Sequence, residues 1–138
     1  MRGLLADVNV QGHVQYLSRV LESRGLWAVL LELKLHLVTF SDLQLPHDID
    51  DRLLWNYCQQ EGWVLFTENR NYDGPDSLQA TLDDSWRSGN LPVLTLSNKT
   101  RFEHEPEYAN RVADDVAELL FGIMELNYCD QPRIYVPL

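Results

Sequence analysis

The chain has 138 residues, 45% of them hydrophobic and 10% aromatic, which is ample for one core and too much for a disordered or fibrous protein. Asp and Glu outnumber Lys and Arg by 21 to 11, a net charge of −10, so phosphate neutralisation over a broad basic face is disfavoured. No window approaches the roughly 18 consecutive apolar residues of a membrane span.

Residues 4–10 form a short, largely apolar run predicted as the first strand. Residues 11–24 follow as a helix, with Val14, Leu17, Val20 and Leu21 at helical spacing and Gly25 as its stop. Leu31, Leu33, Leu35 and Leu37 alternate with polar residues in strand fashion, although residues 26–33 also suit a buried helix. The strand is placed at residues 35–40. Residues 41–46 read as a connector ending in Pro46. Asp48 then resembles an N-cap, with Asp51 in the first turn of a helix that runs to Gly62. Residues 63–66 form a second apolar strand, 67–75 a polar loop, and 77–86 a short helix. A strand over residues 91–96, a long helix over 105–127 and a last strand over 133–136 complete the chain.

Strands alternating with helices in this order predict an α/β fold with parallel pairing in one domain over residues 1–138. The opening Met1-Arg2-Gly3-Leu4-Leu5-Ala6-Asp7 turns acidic too early for a secretory leader, and the two cysteines, Cys58 and Cys129, exclude a disulfide-dense scaffold. The expectation is a cytoplasmic protein with reduced thiols and no membrane partner.

In open parallel sheets, ligands bind beyond the carboxyl ends of the strands. Asp7 sits late in the first strand, Asp50 and Asp51 open a helix, and Glu68 directly follows the strand residues 63–67, with Asp73 and Asp76 further along that loop. Asp7 stands out, because a carboxylate inside an apolar run is costly to bury unless paired or bound. Carboxylates gathered without basic partners repel, and a hard divalent cation relieves that repulsion. Elsewhere the chemistry is thin. His13, His36, His47 and His104 lack zinc-type spacing, no phosphate-cradling glycine run is present, and the four tryptophans read as core and rim aromatics. Arg70, Lys99 and Arg101 could meet a phosphate near this edge, although surface solvation is the simpler account.

Leu4-Leu5-Ala6-Asp7-Val8-Asn9 resembles the LLLDEN opening of small PIN-like proteins related to PIN-domain ribonucleases. Asp42-Leu43-Gln44-Leu45-Pro46 is similar to their DLGLP turn, and the stretch from Asp51 to Thr67 to their helix and EGRVLVT strand. Leu91-Pro92-Val93-Leu94 and the long C-terminal helix fall where that family has its fourth strand and last helix. The resemblance implies a three-layer α/β/α sandwich with a mostly parallel sheet and an acidic pocket that binds Mg²⁺ or Mn²⁺. It further implies metal-dependent cleavage of RNA, often in a toxin–antitoxin setting with an antitoxin-like protein partner. Asp7 matches the first metal-binding Asp, Asp51 the acidic position at the helix head, and Thr67 the Thr of a T-x-D-x-D-F segment.

Glu68 completes the expected catalytic and metal-binding set, with Asn9, Thr67, Asn69, Arg70 and Asp73 as binding residues. The departures lie in the pocket, where Asn69 and Asn71 stand for two Asp and Val8 for a Glu. An Asn carbonyl can ligate a hard cation but brings no charge, so metal affinity is expected to fall. Two functions follow: a divalent-metal-dependent ribonuclease, or a catalytically degenerate PIN-like protein serving as a binding or assembly module. An acidic mimic of nucleic acid gains only from the net charge. Residues 26–34 are apolar enough for a face between two copies in a homodimer.

Overall fold

Apolar runs that are buried along their whole length are the mark of strands covered on both faces, as in a parallel sheet flanked by helices. Three such runs, β1 (Gly3–Ala6), β3 (Trp63–Thr67) and β4 (Val93–Leu96), are buried at every position. In the computed structural model, which describes residues 1–68, 77–127 and 129–138, they form the centre of a five-stranded sheet. The edges are β2 (His36–Val38) and β5 (Arg133–Val136), the order is β2-β1-β3-β4-β5, and every neighbouring pair is parallel.

Seven helices lie among the described residues: α1 (Gln11–Ser23), α2 (Trp27–Glu32), α3 (Phe40–Leu43), α4 (Asp51–Glu61), α5 (Leu78–Ser85), α6 (Lys99–His104) and α7 (Pro106–Leu126). Alternation along the strands divides them into two layers. Leu4, Ala6, Phe66 and Leu94 pack with Leu17 and Leu21 of α1, Phe102 of α6, and Val112, Val116 and Leu120 of α7. Leu5, Leu65 and Val93 face the other way, onto Phe40 of α3, Leu54 and Cys58 of α4, and Leu78 and Leu82 of α5. The expected three-layer α/β/α sandwich is thus present, and its sheet is parallel throughout. No helix among the described residues is long and apolar enough to cross a membrane.

Several boundaries depart from the sequence expectation for local reasons. The first strand stops at Ala6, because the Asp7 carboxylate accepts the Val8 amide and caps a 3-10 turn over Val8–Val10. Residues 27–32 take the helical alternative, and the strand placed at 35–40 is confined to His36–Val38, because Thr39 caps a helix that starts at Phe40. The leucine alternation leaves Leu31 and Leu33 exposed, and Lys34 in the left-handed region ends the helical segment. The connector over 41–46 contains α3, started by a reciprocal capping box between Thr39 and Asp42. The cap of α4 is Asp50, not Asp48; its Oδ1 accepts the Leu53 amide at 2.9 Å. The long C-terminal helix is preceded by a separate α6, because Pro106 holds Glu105 in an extended conformation that splits the two.

Gly3 opens β1 at φ +141°, where a side chain is strained, and a Cβ there would fall onto the backbone carbonyl of His36 in β2. The closest approach of the two strands therefore requires glycine.

Candidate functional site

The chain leaves β1 toward β2 on one side and leaves β3 toward β4 on the other. The carboxyl ends of β1 and β3 are therefore the topological switch point of the sheet, the place where parallel sheets offer a crevice to a ligand. Asp7 is the first residue past β1, still tied to the sheet by its amide, which donates to the Phe66 carbonyl at 2.8 Å. Only 7% of it is exposed. Its Oδ1 accepts from the Val8 amide at 2.7 Å, and its Oδ2 accepts from the Thr67 hydroxyl at 2.9 Å. Thr67 is the last residue of β3 and fully buried.

Two further carboxylates border this crevice. Asp51, the first residue of α4, accepts the Leu78 amide on Oδ2 at 3.0 Å, which joins the start of α4 to the start of α5. Glu68 follows Thr67 and pairs with Lys99 Nζ at 3.5 Å. Lys99 opens α6 after β4 and also lies 3.5 Å from the Asn9 carbonyl, so it bridges the ends of β1 and β3.

The charges of these groups act on one another. Burial pushes the Asp7 carboxyl above its ordinary range, the Thr67 and Val8 hydrogen bonds pull it back, and the negative charges of Asp51 and Glu68 push it up again. The Cys58 thiol, two turns along α4 from Asp51, is pushed up to about 12 by burial, with the charge of Asp7 adding to the effect. Thr67 thus does more than fill space. Thr67→Val keeps the shape and removes the donor, so Asp7 should titrate higher still. Unfolding at neutral pH should become easier by about 1–2 kcal/mol in denaturant melts.

Of the residues expected at the site, Asp7, Asp51, Thr67, Glu68 and Asn9 lie around this crevice, while Asn69, Arg70 and Asp73 fall outside the described residues. Arg101 turns away: it pairs with Glu105 at 2.8 Å and lies 4.5 Å from the Tyr108 ring centroid. Lys99 is the residue that sequence reasoning undervalued. Its one signal was its place directly after a strand, since its partners belong to segments far away along the chain.

In charge and donor chemistry, three carboxylates suit a hard divalent cation. They do not close onto one point, for among the described residues no group of three His, Cys, Asp or Glu side chains is arranged to hold a metal. Elsewhere, His13 on α1 lies 2.6 Å from Glu103 on α6, which ties those two helices together. Compared with known proteins, the chain matches no family model, and neither a curated protein nor a solved structure matches it.

Proposed function

We propose that the β1/β3 crevice is the active site of a PIN-like, divalent-metal-dependent ribonuclease. The observation that carries this is Asp7: an acid buried at the switch point, its charged form opposed by desolvation and by two neighbouring carboxylates. A bound cation offsets all three penalties at once. Asp7 would hold Mg²⁺ or Mn²⁺, with Asp51 and Glu68 drawn in from the rim on binding, and the ion would supply neutralisation of a phosphate and a bound water of lowered pKa. Thr67 fixes the orientation of Asp7. Lys99 puts a positive charge at the rim of an otherwise acidic site, where a phosphate oxygen can be gripped. The PIN-like resemblance of the opening and of the stretch from Asp51 to Thr67 directs the chemistry to RNA, and with it to a toxin-like role.

A second reading, a degenerate PIN-like binding or assembly module, is favoured by one specific feature. Each carboxylate already has an internal partner: Thr67 and Val8 for Asp7, Leu78 for Asp51, and Lys99 for Glu68. Thermal melts in Mn²⁺, run beside an assay of single-stranded RNA cleavage, separate the two. The nuclease gains stability as RT ln(1 + [L]/Kd), about 2.7 kcal/mol at roughly 100 times Kd, and cleaves. A protein indifferent to millimolar Mn²⁺ and inert toward RNA is the module.

A further inference from the structure

Glycine inside a helix is unfavourable, but it leaves the helix surface bare so that another element can approach closely. Gly122 lies in the interior of α7, yet a Cβ added there meets no atom within 4 Å. Among the described residues nothing occupies the space over it, in contrast to Gly3. Gly122 instead lines an open surface groove of about 380 Å³, together with Leu119, Leu126 and Ile134. Leu126 is 70% exposed, the largest fraction of any apolar side chain on α7. Such an apolar strip on a soluble surface marks a place where something docks.

Charge identifies the occupant. Glu118 and Asp130 line the groove, and Glu125 lies on the same helical face, three residues from Gly122. None of the three has a cationic partner among the described residues. A second groove of about 420 Å³ shares Glu118 and sets Leu26 and Phe121 beside Asp114 and Asp115. A second copy of this chain would bring like charges together in a molecule of net charge −10, and nucleic acid or an anionic membrane would be repelled for the same reason.

We propose that this face of α7 docks a basic amphipathic helix of a partner protein, its leucines in the groove over Gly122 and its lysines or arginines against Glu118, Glu125 and Asp130. Because α7 runs back from the carboxyl end of β4 to the amino end of β5, the groove lies at the end of the sheet opposite Asp7. Docking and the crevice chemistry are therefore separable.

The test uses a labelled Leu/Lys amphipathic helical peptide and its Leu/Glu counterpart, read by fluorescence anisotropy on the whole chain. The Leu/Lys peptide should bind saturably and more weakly as salt rises, and Asp7→Asn should bind it as the wild type does. Gly122→Ala should raise Tm by about 4 °C through helix propensity while weakening the peptide at least about tenfold. Leu126→Gln, at an exposed position, should weaken it in the same direction. The proposal is overturned by equal binding of the Leu/Glu peptide, or by no saturable binding of the Leu/Lys peptide. It also fails if both variants keep wild-type affinity, or if sedimentation shows a dimer that Leu126→Gln dissolves.

Discussion

Asp7→Asn should abolish RNA cleavage and the Mn²⁺-dependent rise in Tm, yet leave the metal-free protein at least as stable as the wild type. Outer-shell changes around metal sites cost about 10–100-fold, so loss of a direct ligand should lower cleavage by at least about a hundredfold. The stability half of this prediction follows from the sign of the Asp7 shift. Its carboxyl is raised in the folded protein, so the fold holds that proton more tightly than the unfolded chain does. The resulting stabilisation is complete below the ordinary carboxylate pKa and is lost as pH rises through the folded value. At neutral pH the ionised Asp7 therefore opposes folding, and an amide of the same shape does not. Asparagine keeps one acceptor oxygen and offers its NH₂ to the Thr67 hydroxyl oxygen, so little hydrogen bonding is lost. The Tm difference between variant and wild type should widen from about pH 4 to about pH 7 without metal and reverse when Mn²⁺ is added. A variant that is less stable than wild type across that range, without metal, would remove the reason for placing a cation at Asp7.

Gly3→Ala should be the most damaging single substitution in the sheet, with a loss of about 3 kcal/mol or more in denaturant unfolding. Two costs combine. The position has φ +141°, which L-residues avoid, and the added methyl meets the backbone of His36 rather than the yielding end of a side chain. Backbone can give way only by parting β1 from β2, a strand of three residues that depends on that pairing. Gly12→Ala is the matched control: a Cβ there meets open space on α1, so it should cost nothing and should gain from helix propensity. The pair isolates strand proximity from any general intolerance of alanine for glycine.

The layered α/β architecture was legible because long periodic segments declare themselves. Val14, Leu17 and Leu21 announced α1, Val112, Val116 and Leu120 announced the buried stripe of α7, and β5 occupies the four residues expected. What misled was short. Helices of four to six residues, such as α2 and α3, turn on a single cap or a left-handed residue, and a leucine alternation of two cycles leaves helix and strand both open over residues 26–33. The site divides in the same way. Asp7 was visible because a charge in an apolar run demands a reason. Asp51 was visible as a helix-start residue, and its tie to Leu78 was not, because the intervening distance is set by tertiary packing. Lys99 looked like an ordinary surface lysine until the sheet brought β3 and β4 side by side and set Glu68 within its reach.

Cys58 gives the molecule a built-in chemical clock. With its thiol near 12 and almost wholly shielded, it is scarcely ionised at neutral pH and cannot attack an alkylating reagent from the closed fold. Cys129, partly accessible, should react first and mark time zero. The slow second labelling then counts how often the wall of α4 beneath Asp7 swings open, and whatever settles above that wall should slow the count.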